Sequence, residues 1–101
     1  MDTEKIKELR KETGVVLVEF YASWCPHCQK MMPVVADVKA LFEGRAPVYQ
    51  FDIDENTEFA DSLDVQSIPT FIIFDKGEPV WRTSGEISAD KLSSELEKAL
   101  F

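Results

Sequence analysis

The stretch VEFYASWCPHCQKMMP, Val18 to Pro33, decides how the chain is read. In it an apolar, β-branched run ends, two cysteines follow, and a helical pattern begins. Cys25 and Cys28 are the 2 cysteines of the whole chain, and the 1 histidine, His27, lies between them beside Pro26. Such a pair is a redox couple, half of a metal site, or two buried structural thiols. The surrounding pattern has to decide among these.

Upstream, VVLVEFY (Val15 to Tyr21) is almost continuously apolar, as a central strand buried on both faces must be. Downstream, Cys28, Met31, Met32, Val35, Val38 and Phe42 recur at helical spacing, which predicts a long helix closed at Gly44. Met31 and Met32 read as core filler. Pro33 removes one backbone donor from this helix and should kink it. Residues 3–13 read as a helix capped by Thr3, with Ile6 and Leu9 inward and Gly14 as its stop.

PVYQFDI (Pro47 to Ile53) reads as a strand and NTEFADSL (Asn56 to Leu63) as a short helix. TFIIF and PVWRTSG are strands joined by the tight turn DKGE, and Trp81 is a packing residue of that hairpin. Ser88 caps a final helix carrying Leu92, Leu96 and Leu100. The order α-β-α-β-α-β-β-α predicts a three-layer α/β fold with right-handed crossovers, a four-stranded mixed sheet flanked by four helices.

The chain has 101 residues, of which 45% are apolar and 11% aromatic, enough for one domain over residues 1–101 with a single core. No run approaches membrane-spanning length. The first residues, MDTEKIKELRKE, lack the apolar stretch of a signal peptide and favour the cytoplasm, although a chain trimmed of its leader would read the same. The net charge is −8, and between Arg45 and Lys76 the chain holds acids but no Lys or Arg. Nucleic acid and anionic membranes are therefore poor partners. The acidic run DIDENTEFADSLD lacks the spacing and the Gly of a calcium loop and reads as a solvated helix with its leading loop.

A Cys-x-x-Cys that leaves a buried strand and opens a helix is a redox signature with a mechanism. Unpaired N–H groups and the helix dipole favour an anion at the helix start. Cys25 is therefore the expected nucleophilic thiolate. Cys28, one turn on and facing inward, is the expected resolving thiol. Pro26 suits the first turn, which has no use for its missing N–H.

With these residues in view, the chain resembles the thioredoxin family over nearly its whole length. VEFYASWCPHCQKMMP is similar to the family's strand, Trp-Cys-x-x-Cys loop and proline-bearing helix. VQSIPTFIIFDKGEPVWRTSG is similar to its Ile-Pro-Thr loop, hairpin and terminal Gly. The resemblance implies a redox-active Cys25–Cys28 disulfide and a cis Pro69 beside it. It also implies a substrate groove formed by Trp24, Ile68, Pro69 and the backbone near Gly85. Disulfide-bearing proteins would be the substrates, a thioredoxin-reductase-like protein the electron donor, and no cofactor or metal would be needed. A cytoplasmic monomer serving electron transport and cell redox homeostasis is the expected form.

Three departures from the family pattern stand out. The usual Gly-Pro insert is Pro26-His27, as in disulfide-introducing oxidases of the same superfamily, whose helical insertion domain has no counterpart here. An imidazole beside the Cys25 sulfur would favour the thiolate and make the disulfide more oxidising, within the superfamily's span of about −270 to −120 mV. The family's buried Asp is Glu19, whose carboxyl should have a raised pKa and exchange protons with Cys28. The family's first strand has no counterpart. Val48–Ile53 is then an exposed edge, to be protected by Asp52 and Asp54 or by pairing between subunits.

Other classes fit the same residues. Zinc needs four ligands, and the chain offers Cys25, Cys28 and His27, so a metal site would have to be shared by two subunits. A redox-sensitive subunit that docks partners and turns nothing over also fits, and His27 would serve equally as a solvent-facing spacer. The resemblance favours a thioredoxin-type reductant with a relatively oxidising potential; net oxidase or isomerase activity is the alternative.

Overall fold

The computed structural model describes residues 14–101. In order these form β1 (Val15–Tyr21), α1 (Pro26–Leu41), β2 (Val48–Asp52), α2 (Thr57–Ser62), β3 (Thr70–Asp75), β4 (Glu78–Ser84) and α3 (Ala89–Leu100). The helix expected over residues 3–13, with Thr3 as its cap, lies outside the described residues. The strands form one mixed sheet in the order β2-β1-β3-β4. β1 runs parallel to β2 and antiparallel to β3, and β3 runs antiparallel to β4.

β1 is central because its apolar run can be buried on both faces. Side chains alternate across a strand, so Val15 and Leu17 join Phe71 and Ile73 of β3 on one face. There they meet Met31, Val35 and Val38 of α1 and Leu92 and Leu96 of α3. The other face carries Val16, Val18 and Phe20, packed with Ile72, Phe74 and Phe59 of α2. The same parity places Glu19 on the α1 face. Phe20, Phe42, Phe59 and Phe71 are fully enclosed. At roughly 1.5–3 kcal/mol for each side chain, burial on this scale outweighs the several kcal/mol of burying one carboxyl.

The helices obey their sequence signals with one exception. Ser88 Oγ accepts the Lys91 N–H at 3.1 Å and caps α3. Cys28, Met31, Val35 and Val38 form the buried stripe of α1, and the helix runs on through Pro33. Met32, expected in the core, is 64% exposed. Neighbours in a helix differ by about 100° in direction, so once Met31 faces the sheet Met32 cannot. The β3–β4 turn at Lys76-Gly77 has φ of 54° and 83°, the pair of positive values that a two-residue hairpin of this hand requires. β2 is an edge strand, as expected. Among the described residues no helix is long and apolar enough to cross a membrane.

Phe59 joins α2 to the sheet through ring contacts with Phe20 at 5.3 Å and Phe51 at 5.0 Å. Phe59→Ala should cost about 3–5 kcal/mol in a urea unfolding titration. A loss below about 1 kcal/mol would mean that the neighbouring rings close over the gap.

Candidate active site

The site begins where β1 delivers the chain to α1. Cys25 is the N-cap of α1, in extended conformation with φ −89° and ψ 115°. Its sulfur takes the role a hydroxyl or carboxylate has in most caps: Cys28 N–H donates to Cys25 Sγ at 3.2 Å. Pro26 occupies the first helical turn, where the missing N–H leaves nothing unpaired. Both thiols are buried, Cys25 at 4% and Cys28 at 3% accessible. Burial, reinforced by hydrogen bonding to Cys25 and opposed by a backbone hydrogen bond at Ala22, pushes the Cys28 thiol up to about 12. Both residues are free thiols in this structure.

Glu19 is 2% exposed on the α1 face of β1. Burial pushes its carboxyl above the ordinary value, opposed by a hydrogen bond from Gln50. Gln50 Nε2 donates to Glu19 Oε1 at 3.0 Å from the neighbouring strand, where the two residues are register partners. A cavity of about 500 Å³ has Glu19, Gln50, Met32 and Cys28 in its lining. The carboxyl and the Cys28 thiol thus face one space.

Of the expected groove residues, Ile68 is the link to the cysteines. Ile68 packs against the cluster of Ala22, Cys25 and Cys28. Trp24, 63% exposed, shares a groove of about 310 Å³ with Ile68. Its indole N–H donates to Asp54 Oδ2 at 2.8 Å, which fixes the ring. The Ile68–Pro69 peptide is cis. Gly85 N–H donates to Pro69 O at 2.8 Å, joining this loop to the end of β4. Gly85 has φ of 94°, a conformation that other residues rarely adopt. Thr70, fully buried, satisfies its hydroxyl on Ser67 O at 2.6 Å and Ser84 Oγ at 2.8 Å.

His27 projects outward from the first turn of α1. Its Nδ1 lies 2.5 Å from Glu86 Oε2. Gln50, Asp54 and Glu86 are the residues that sequence reasoning passed over. Each meets its partner across 31, 30 and 59 residues of chain respectively. Asp54 reads from sequence as an acid of the acidic run and a guard of the β2 edge, and its bond to Trp24 leaves no local signal. Among the described residues, no group of three or more His, Cys, Asp or Glu side chains is arranged to hold a metal ion.

Comparison with known proteins gives a single answer. The family model described as Thioredoxin matches residues 2–98. A Staphylococcus aureus thioredoxin is 40% identical over 89 residues, covering 88% of this chain and 86% of that protein. Among solved structures, a mutant thioredoxin from Halobacterium salinarum superimposes with a TM-score of 0.85 at 33% identity, over 97% of this chain and 85% of that one. A thioredoxin from Nicotiana alata gives 0.85 at 27% identity, over 98% and 84%.

Glu19 yields a test of stability. Its folded-state pKa is raised by burial, so stability is greatest below the ordinary value of 4.5 and falls as pH climbs through the raised one. Glu19→Leu should therefore raise the melting temperature near neutral pH, by ~4–8 °C for each kcal/mol gained. The gain should shrink as the pH is lowered toward 4.5. A gain independent of pH would show that shape, rather than the charge, is what Leu relieves.

Proposed function

The chain belongs to the thioredoxin family, whose chemistry is thiol–disulfide exchange, and from that premise we propose that it reduces protein disulfides through Cys25 and Cys28. The Cys25 thiolate attacks one sulfur of a substrate disulfide and expels the other as a thiolate, leaving a mixed disulfide on Cys25. Cys28 then gives up its proton and attacks the Cys25 sulfur. The second substrate thiolate leaves, and the protein holds a Cys25–Cys28 disulfide. Two electrons have passed to the substrate, and a reductase-like donor restores the dithiol.

The observation that carries this reading is the unequal treatment of the two sulfurs. The capping N–H at 3.2 Å favours an anion on Cys25, while Cys28 retains its proton with a pKa of about 12. A thiol so reluctant to ionise needs a base when its turn comes. Glu19, facing the same cavity of about 500 Å³, is placed for that task. The cavity is large enough for several waters, at about 30 Å³ each, so the proton can travel through solvent rather than by direct contact.

Trp24, Ile68, Pro69 and the backbone at Gly85 would seat an extended substrate segment next to Cys25. Pro26 and His27 set the potential, which we place above that of a Gly-Pro site and within about −270 to −120 mV. The Pro26-His27 insert also supports a second reading, net disulfide oxidation or isomerisation. The reductant reading implies a cytoplasmic monomer with disulfide-bearing proteins as partners, acting as one domain without cofactor or metal.

Three experiments test the reading. Cys28→Ser should accumulate mixed disulfides on Cys25 when mixed with a disulfide-bearing protein, because nothing resolves them; the absence of adducts would favour a docking role without turnover. Iodoacetamide should label Cys25 first in the reduced protein, and labelling of Cys28 first would reverse the roles. Replacing Pro26-His27 by Gly-Pro should lower the reduction potential measured against glutathione. Each 30 mV or so corresponds to ~1.4 kcal/mol for a two-electron couple, so a change on the scale of a single hydrogen bond should be measurable.

A further inference from the structure

His27 stands on the first turn of α1, and Glu86 directly follows Gly85 in the segment between β4 and α3. The contact of His27 Nδ1 with Glu86 Oε2 at 2.5 Å joins that segment to the start of α1. Lys30, one turn along α1, brings its Nζ to 4.0 Å from the same oxygen. The hydrogen bond from His27 holds the Glu86 carboxyl below the ordinary carboxylate range, so the group is an anion at neutral pH. A carboxylate only accepts hydrogen bonds, so Nδ1 must carry the proton.

The consequence for Cys25 follows from the inventory of the ring. A neutral imidazole has one N–H donor and one acceptor. With its N–H directed to Glu86, His27 has only the acceptor Nε2 left, and a bare nitrogen lone pair offers nothing to a thiolate. A second proton would make Nε2 a donor as well, but the charge would then be half of a pair with the carboxylate, and its field at the Cys25 sulfur would be weakened.

We propose that Glu86 is a positioning residue that diverts His27 from Cys25 and so restrains the oxidising effect of the Pro26-His27 insert. The inference rests on the thiol–disulfide reading above. It explains how a chain with an oxidase-type insert keeps a potential suited to reduction. The contact is not needed to hold the fold. The His27 and Glu86 side chains are 64% and 40% exposed, and ion pairs at that exposure contribute little to stability. Removing Glu86 can therefore be read through the potential rather than through unfolding.

The experiment is a double-mutant cycle on the redox equilibrium with glutathione at pH 7, using the wild type, Glu86→Ala, His27→Gln and the double variant. Glu86→Ala should shift the equilibrium toward the dithiol by about three- to tenfold, the scale of one net hydrogen bond. Tenfold corresponds to ~30 mV. Glu86→Gln, which keeps an acceptor for Nδ1–H, should lie closer to the wild type than to Glu86→Ala. In the His27→Gln background the loss of Glu86 should change nothing. An unchanged or lowered potential in Glu86→Ala overturns the proposal, as does an equal shift in the absence of His27. If the wild type forms no Cys25–Cys28 disulfide with glutathione, the underlying reading fails instead.

Discussion

The hydrogen bond from Cys28 N–H to Cys25 Sγ is the contact around which the site is organised. It exists because only four residues separate the end of the central strand at Tyr21 from the start of α1 at Pro26, and because the cap of that helix is a sulfur. Every helix start has N–H groups without partners, and here one of them is satisfied by the reactive atom itself. One contact thus starts the helix and differentiates the two thiols. Cys25 receives the capping donor; for Cys28, one turn into the helix, burial outweighs its backbone hydrogen bond at Ala22 and pushes the thiol up.

Glu19 shows the opposite relation between local rules and function. A carboxyl within the most apolar strand lowers stability at neutral pH, yet it faces the cavity that also reaches Cys28. Gln50 from the edge strand moderates the burial with a hydrogen bond but brings no charge. The acid is thus partly satisfied within the core. The core can carry this burden because both faces of β1 are otherwise filled by apolar side chains.

The residues flanking Cys25 in sequence make two contacts of similar design. Trp24 is fixed by Asp54, and His27 is fixed by Glu86. In each case a carboxylate from a distant loop takes the N–H of an exposed ring beside Cys25. Part of the strong negative charge of the chain is thereby given a local role. The rest of the acidic run around α2 reads as solvated surface.

Much was determined by the sequence alone. The apolar run Val15 to Tyr21 required a strand buried on both faces, and strand parity then set Glu19 on one of them. The Cys-x-x-Cys at a strand-to-helix boundary defined the chemistry, and Ser88 marked the last helix. These signals are local, so they survive without the rest of the fold. The tertiary structure decided what lay across long stretches of chain. The spacing from Cys28 admitted both Met31 and Met32 to the core, and only packing against the sheet selected Met31. Gln50 became the partner of Glu19 through the register of β1 and β2, which no single strand encodes. Asp54 and Glu86 look like ordinary surface acids until folding brings them to Trp24 and His27, because a hydrogen bond depends on distance in space and leaves no periodic trace in sequence.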